Sequence, residues 1–172
     1  GYVRPYKGVM HLLDAFKEVL DSCDRVNLIV AGEFWDDLRA YEEKINALEI
    51  SNRVKLIPRY VTEAEISELF TISDLFVVPY LRGTQSGVLK LAMGAGLPCV
   101  VSDSVTDELV SSQSEHCVTY PAGSTEGLRK AILRGLLINK RTETQSSSMI
   151  RASWQDFKRK LINCGTQRKN EI

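Results

Sequence analysis

Short, continuously apolar runs alternate along the chain with longer segments of helical spacing. Five runs rich in β-branched residues occupy 26–32, 53–58, 74–80, 97–103 and 116–121, and the opening residues GYV fit the end of a sixth. Continuously apolar runs are typical of parallel strands that are covered on both faces. The pattern therefore predicts a buried parallel sheet.

The segments between these runs place apolar side chains on one face of a helix. This spacing predicts helices over 8–22, 36–48, 62–72, 86–96 and 124–138. The third of them opens with Thr62 and Glu65, the spacing of a capping box. Strands that alternate with helices predict an α/β fold with a doubly wound parallel sheet and right-handed crossovers.

Ligands of such sheets bind beyond the carboxyl ends of the strands. That rule selects five candidate loops, at 1–8, 32–36, 58–62, 79–87 and 102–107. After the last predicted strand and helix, residues 139–148 read as a polar loop. Residues 149–172 read as a C-terminal helix and tail, with an apolar stripe that includes Trp154. We expect one domain over 1–172 with its core in 1–138.

Composition narrows the range of functions that the chain can have. The chain has 172 residues, 44% of them hydrophobic, and its 22 basic residues balance 22 acidic ones. This balance gives no reason to expect nucleic acid as a partner, so any anion site must be local. Four widely spaced cysteines suggest neither a zinc site nor a redox motif, and no apolar run is long enough to span a bilayer. We therefore expect a reducing, cytoplasmic location.

Two loops carry the features of an anion site. Arg4 and Lys7 stand where the first predicted helix begins, next to Gly8. Ser86, Gly87 and Val88 open a later helix, where backbone N–H groups lack partners and the helix dipole is positive. The alternative is that Ser86 is only an N-cap and that Gly87 serves tight packing.

A third loop, at 58–62, places Tyr60 and Val61 where backbone groups could meet the edge of a nucleobase. Val61 also fits a hydrophobic staple in front of Thr62. A contact with a nucleobase and a purely structural staple therefore both stay open. The sequence has no P-loop, no glycine-rich dinucleotide motif and no D-x-D pair that would hold a metal-bound diphosphate. We therefore expect no metal.

Taken in order, the segments YVRPYKGVMHLLDAF, NLIVAGEFWDD, RVKLIPRYVTEAEISELFTISDLFVVPY and TQSGVLKLAMGAGLPCVVSD resemble the C-terminal half of glycosyltransferase family 4, the retaining GT-B enzymes. The resemblance covers about residues 1 to 138. It implies a Rossmann-like domain that binds a nucleotide-diphosphate sugar and faces a missing N-terminal acceptor domain. It also implies retaining transfer to an acceptor in polysaccharide or glycoconjugate biosynthesis, with no cofactor, by an enzyme that can lie peripherally at the inner membrane face.

The resemblance assigns residues as well. Lys7 matches the family's diphosphate-binding lysine, Arg4 is a substitute for its partner arginine, and the backbone at Tyr60 and Val61 matches the stretch that approaches the base. The donor-binding residues that we expect are Arg4, Lys7, Tyr60, Val61, Gln85, Ser86, Gly87 and Val88.

Two family glutamates are replaced, because aligning the segment AMGAGLP puts Gly83 and Leu91 at their positions. In the family the second of them typically binds the donor ribose. This departure keeps open a second hypothesis, a catalytically degenerate module that binds nucleotide sugars or a partner. A receiver-type signalling domain would need an acidic pocket at the strand ends, whereas Asp74 stands at a strand start. We expect the isolated chain to be an inactive fragment.

Overall fold

The computed structural model describes residues 1–83, 85–105, 110 and 115–138. The polar loop predicted at 139–148 and the C-terminal helix predicted within 149–172, with its stripe around Trp154, lie outside the described residues.

The described residues contain short strands that pair in parallel throughout. The strands are β1 (Tyr2–Val3), β2 (Leu28–Ala31), β3 (Glu33–Phe34), β4 (Val54–Ile57), β5 (Phe76–Val78), β6 (Cys99–Ser102) and β7 (Cys117–Tyr120). They form three hydrogen-bonded sets, β1 with β3, β2 with β4, and β5 with β6 and β7. The predicted parallel sheet is confirmed.

Helices connect the strands at the predicted places. They are α1 (Val9–Ser22), α2 (Leu38–Ala47), α3 (Glu63–Ile72), α4 (Gly87–Gly94) and α5 (Thr125–Gly135), and a 3-10 turn covers Pro5–Lys7. The side chains of Asp37, Thr62, Ser86 and Ser124 accept backbone N–H groups at the starts of α2 to α5. At α3 the predicted capping box is complete, because Glu65 also reaches back to the backbone of Thr62.

One strand differs from its prediction. The apolar run at 26–32 was expected to end before a helix at 36, but the chain breaks at Gly32 and continues as β3. Gly32 has φ 153°, and a Cβ there would overlap the carbonyl oxygen of Gly1. The close approach of two backbones, which only glycine allows, shifts the pairing from β4 on one side to β1 on the other.

Three apolar clusters hold these layers together. Val78, Leu89, Leu97 and Val101 centre one of them, between α4 and the strands β5 and β6. A second joins α1 and α5 to β6 and β7, and a third joins α1 and α2 to β2. Cys99 is fully buried in the first cluster, where its thiol packs as a small hydrophobe.

Within the part of the chain that the structure describes, no helix has the length and apolar character needed to cross a membrane.

Candidate functional site

Two loops at the carboxyl end of the sheet meet closely. Gly8 follows the 3-10 turn with φ 69°, and a Cβ there would overlap the carbonyl oxygen of Pro79. The N–H of Leu81 donates to the carbonyl of Tyr6 at 2.7 Å. Gly8 is therefore required both by its left-handed backbone and by the contact, which fixes the 3-10 turn against the loop after β5.

Lys7 leaves this turn toward the start of α4. Its Nζ lies 3.7 Å from the position that a Cβ on Gly1 would take, and a methyl of Val88 lies 3.9 Å from the same point. The ammonium also lies 5.5 Å from the ring centroid of Tyr80. Desolvation lowers the pKa of Lys7 from 10.5, with a smaller contribution from the charge of Arg4. The Lys7 ammonium and a methyl of Val88 thus lie around the same point beside Gly1.

The first turn of α4 is open toward this lysine. Ser86 is buried, with 4% of its surface exposed, and its Oγ accepts the N–H of Leu89 at 3.3 Å. That cap serves only the third residue of the helix, so the N–H groups of Gly87 and Val88 point beyond its end. The positive end of the helix dipole adds to their attraction for an anion.

Gly87 is exposed, and among the described residues no atom lies within 4 Å of the position of an added Cβ. Packing against the described residues therefore does not require a glycine at position 87. Open space over two N–H groups that have no partner among the described residues is the geometry that an approaching phosphate needs. Gln85, just before the helix, is exposed as well.

Tyr80 connects these parts, although no sequence motif singled it out. Its ring faces the Lys7 ammonium, and its hydroxyl lies 3.2 Å from Ser86 Oγ. Ser102 and Ser104 donate to its carbonyl oxygen at 2.6 and 2.9 Å. The available signal was a tyrosine at the end of one strand together with two serines, separated by one residue, at the end of the next.

Arg4 stacks on aromatic side chains. Its guanidinium carbon lies 3.9 Å from the ring centroid of Trp35 and 6.0 Å from that of Tyr2, and these rings pack edge to face. A cation–π contact of this kind holds the side chain in place. Its repulsion still reaches Lys7, so Arg4 contributes positive charge to the same region.

The two residues predicted as donor contacts in the loop at 58–62 differ in exposure. Tyr60 is 69% exposed, whereas Val61 is only 5% exposed. Val61 and Ile66 line one apolar cavity, as the two residues of a hydrophobic staple would. Arg59 donates to the carbonyl of Tyr60 at 3.0 Å and also pairs with Glu65. The side chain of Val61 is therefore structural, and a nucleobase could meet only the backbone at this position.

The sequence model of the family described as "Glycosyl transferases group 1" matches residues 1–137. The chain belongs to this family. The GDP-mannose:glycolipid 4-beta-D-mannosyltransferase of Xanthomonas campestris is 30% identical over 114 residues, which are 66% of this chain and 32% of that protein. The chain thus spans about a third of the length of this curated relative.

Solved structures agree on the fold of this glycosyltransferase domain. The C-terminal domain of a group 1 glycosyltransferase (LpcC) from Francisella tularensis superposes with a TM-score of 0.68 at 15% identity, covering 78% of this chain and 71% of that one. HepE of Anabaena, solved with UDP-glucose, gives 0.69 at 19% identity over 80% of this chain and 37% of that one. The Rossmann-like architecture of a GT-B half, which the resemblance implied, is confirmed.

The two positions where this glycosyltransferase domain lacks the family's glutamates differ in backbone. Gly83 has φ 130°, a conformation that side-chain-bearing residues rarely adopt, and its nearest neighbours are the rings of Tyr6 and Tyr80. Leu91 lies on the outer face of α4 with 56% of its surface exposed. A glutamate would be strained at the first position and would be readily accommodated at the second.

Proposed function

We propose that this domain is the donor-binding half of a glycosyltransferase that moves a sugar from a nucleotide diphosphate to an acceptor, with retention at the anomeric carbon. The acceptor would be bound mainly by an N-terminal half outside this chain. The product would belong to a polysaccharide or glycoconjugate, and the reaction would take place at the cytoplasmic side of a membrane.

One observation carries the proposal. The Lys7 ammonium and the open first turn of α4 lie side by side at the carboxyl end of a parallel sheet, around Gly1. A diphosphate placed there would meet the N–H groups of Gly87 and Val88 on one side and a half-buried cation on the other. Burial strengthens the attraction between Lys7 and an anion, because little water screens it.

The same groups suit the chemistry. When the bond between sugar and diphosphate breaks, negative charge grows on the departing diphosphate. Fixed N–H dipoles and Lys7 would stabilise that charge where it forms, and Tyr80 would position both of them through its ring and its hydroxyl. Catalysis by this route needs no metal, so we expect transfer to persist in EDTA; loss of activity that Mg²⁺ or Mn²⁺ restores would contradict it.

The test uses the complete enzyme that contains this domain. Transfer and hydrolysis are measured with a panel of UDP- and GDP-sugars, because the Xanthomonas relative is named for GDP-mannose and HepE was solved with UDP-glucose. Replacing Lys7 by Ala should raise the donor KM and lower kcat. Lys17→Ala is the matched control, because Lys17 pairs with Asp21 on the surface of α1. An equal effect of both changes would reject the assignment of Lys7.

Stereochemistry is tested separately. The anomeric configuration of the product, read by NMR, should equal that of the donor sugar. The name of the Xanthomonas relative specifies a β linkage, so this measurement decides a point on which relatives can differ. A product of opposite configuration would contradict retention and leave donor binding untouched.

The second candidate is a module that binds nucleotide sugars without turnover. Gly83 and Leu91, at the positions of two family glutamates, are the observation in its favour. Saturable donor binding by the complete enzyme with neither transfer nor hydrolysis across the panel would establish this candidate over the first.

A further inference from the structure

Arg4 is held by aromatic rings and has no counter-charge among the described residues. Its guanidinium carbon lies 3.9 Å from the ring centroid of Trp35 and 6.0 Å from that of Tyr2. In that part of the chain the guanidinium forms neither a hydrogen bond nor an ion pair. The N–H donors of a guanidinium lie in its plane, so stacking on a ring leaves them open at the rim. Arg4 thus offers donors that no described residue uses.

The carboxylates next to this stack are used elsewhere. Asp36 and Asp37 follow Trp35 directly along the chain. Asp36 accepts the hydroxyl of Tyr41 at 3.3 Å, and Asp37 caps the first turn of α2. Neither of them pairs with Arg4. A cation that the described residues leave without a partner is available to an anionic ligand.

The strand register sets the stack. Val3 and Phe34 lie opposite each other in β1 and β3, and both pack into the cluster of α1 and α2. Arg4 and Trp35 follow them along the chain, so these two side chains point to the other face. The N–H of Trp35 donates to the carbonyl of Val3 at 3.1 Å, which continues the ladder by one step. Tyr2 packs edge to face against Trp35, with the ring centroids 4.7 Å apart.

One turn of backbone joins Arg4 to Lys7. The N–H of Lys7 donates to the carbonyl of Arg4 at 2.9 Å, so the two cations stand at the ends of the 3-10 turn. The Lys7 ammonium likewise forms no ion pair with a described carboxylate. Desolvation lowers the pKa of Lys7, and the charge of Arg4 lowers it further. Two like charges held close together without a carboxylate are stabilised when an anion binds between them.

We propose that Trp35 is a positioning residue of the diphosphate site: it holds Arg4 so that the guanidinium binds one phosphate group, while Lys7 and the first turn of α4 bind the other. This inference rests on the proposed function, since it concerns the same donor. Trp35 touches no phosphate and acts only through Arg4. Without the ring, the long side chain of Arg4 would explore many rotamers, and binding would have to order it first.

The separation of the two cations makes the site selective. The Lys7 ammonium lies toward the start of α4, whereas the Arg4 guanidinium lies over Trp35. A monophosphate can occupy only one of these two places, and a diphosphate can occupy both. An ordered Arg4 should therefore increase the affinity for a nucleoside diphosphate more than the affinity for the corresponding monophosphate.

The test measures the binding of UDP, UMP, GDP, GMP and inorganic pyrophosphate to the complete enzyme by calorimetry. Trp35→Ala should weaken diphosphate binding by about three- to tenfold and monophosphate binding by less. Trp35→Phe keeps a ring for the guanidinium and should stay within about twofold of the unchanged enzyme. Arg39→Ala is the matched control for Arg4→Ala, because Arg39 is an exposed cation on α2, and it should change no affinity. All titrations are run below the Tm of each variant, so that unfolding is not read as weaker binding.

A double-mutant cycle separates positioning from direct contact. Arg4→Ala should weaken diphosphate binding by about tenfold or more, because it removes hydrogen bonds to a charged group. Trp35→Ala should add nothing further in that background, because it acts through Arg4. Additive losses would overturn the proposal. Equal losses for diphosphate and monophosphate would overturn it as well, since a structural defect would weaken both alike.

A measurement without ligand tests the stack itself. In NMR spectra of the labelled chain, the ring of Trp35 should shift the side-chain protons of Arg4 upfield, and Trp35→Ala should return them to ordinary positions. Ordinary positions in the unchanged chain would overturn the proposal. Diphosphate binding that depends on Trp35 without sugar transfer would remove the proposed function and leave this inference, whereas transfer that is indifferent to Trp35→Ala would do the reverse. No diphosphate binding at all would contradict both.

Discussion

Gly87→Ala separates a phosphate-binding glycine from a structural one. The added methyl meets no described atom within 4 Å, and Gly87 is exposed with an ordinary negative φ. Alanine is favoured over glycine in a helix by up to about 1 kcal/mol, and by less at its first residue. The free energy of unfolding should therefore stay constant or rise slightly, with Tm unchanged or higher by about 2–4 °C.

Donor affinity should respond in the opposite sense. The methyl would occupy the space over the N–H groups of Gly87 and Val88, and a hydrogen bond to a charged group contributes about 1.5–3 kcal/mol. Loss of one such bond weakens binding by about tenfold or more, because 1.4 kcal/mol corresponds to a factor of ten. Calorimetric titration with UDP-glucose and GDP-mannose measures this, beside thermal unfolding of the same samples.

Gly94→Ala is the matched control. Gly94 ends the same helix, is exposed, and likewise has no described atom within 4 Å of an added Cβ. It should share the small stability effect and leave donor affinity intact. Equal donor affinity of the two variants would refute a phosphate-binding role of Gly87. A lower Tm of Gly87→Ala would refute it as well, because the glycine would then serve packing.

Three further predictions concern charge and positioning. Because desolvation lowers the pKa of Lys7, donor affinity should begin to fall with rising pH before 10.5, and Lys7→Arg should remove this alkaline limb; an unchanged limb would assign it to another group. Tyr80→Phe and Ser86→Ala should each lower the free energy of unfolding by about 1 kcal/mol. Because the two hydroxyls lie 3.2 Å apart, the double variant should lose less than the sum of the two. Strict additivity in a double-mutant cycle would contradict the contact. Hydrogen bonds from Arg59 and then from the Thr62 backbone hold the pKa of Glu65 at about 2, below its ordinary 4.5. The contribution of Glu65 to the free energy of unfolding is therefore present above pH 4.5 and is lost as the pH falls toward 2. Glu65→Gln should flatten this part of the pH profile of stability, measured by urea unfolding, and an identical profile would refute the role.

Local rules were enough to predict much of the fold. The capping box at Thr62 and Glu65 and the N-cap at Ser86 depend on residues three or four apart, and both are present in the structure. The parallel strands followed from continuous apolar runs, because burial on both faces leaves a pattern in one dimension. Lys7 and the start of α4 could be paired because the carboxyl ends of parallel strands share one edge of the sheet.

Contacts between distant segments could not be predicted in the same way. The break at Gly32 depends on the carbonyl of Gly1, and the stacking of Arg4 depends on Trp35. The place of Tyr80 is set by Ser102 and Ser104, more than twenty positions further along the chain. None of these contacts follows from spacing or propensity, because each one forms only when the strands assemble.

The central claim is that a donor diphosphate binds between Lys7 and the first turn of α4. An NMR titration of the ¹⁵N-labelled chain with UDP and GDP tests it most directly, because glycine amides form a sparse region of the spectrum and the chain has 11 glycines. The account predicts saturable shifts that are largest at Gly87 and Val88, that Lys7→Ala weakens, and that leave Gly94 unmoved. Saturable shifts centred elsewhere, or none at millimolar nucleotide, would contradict it.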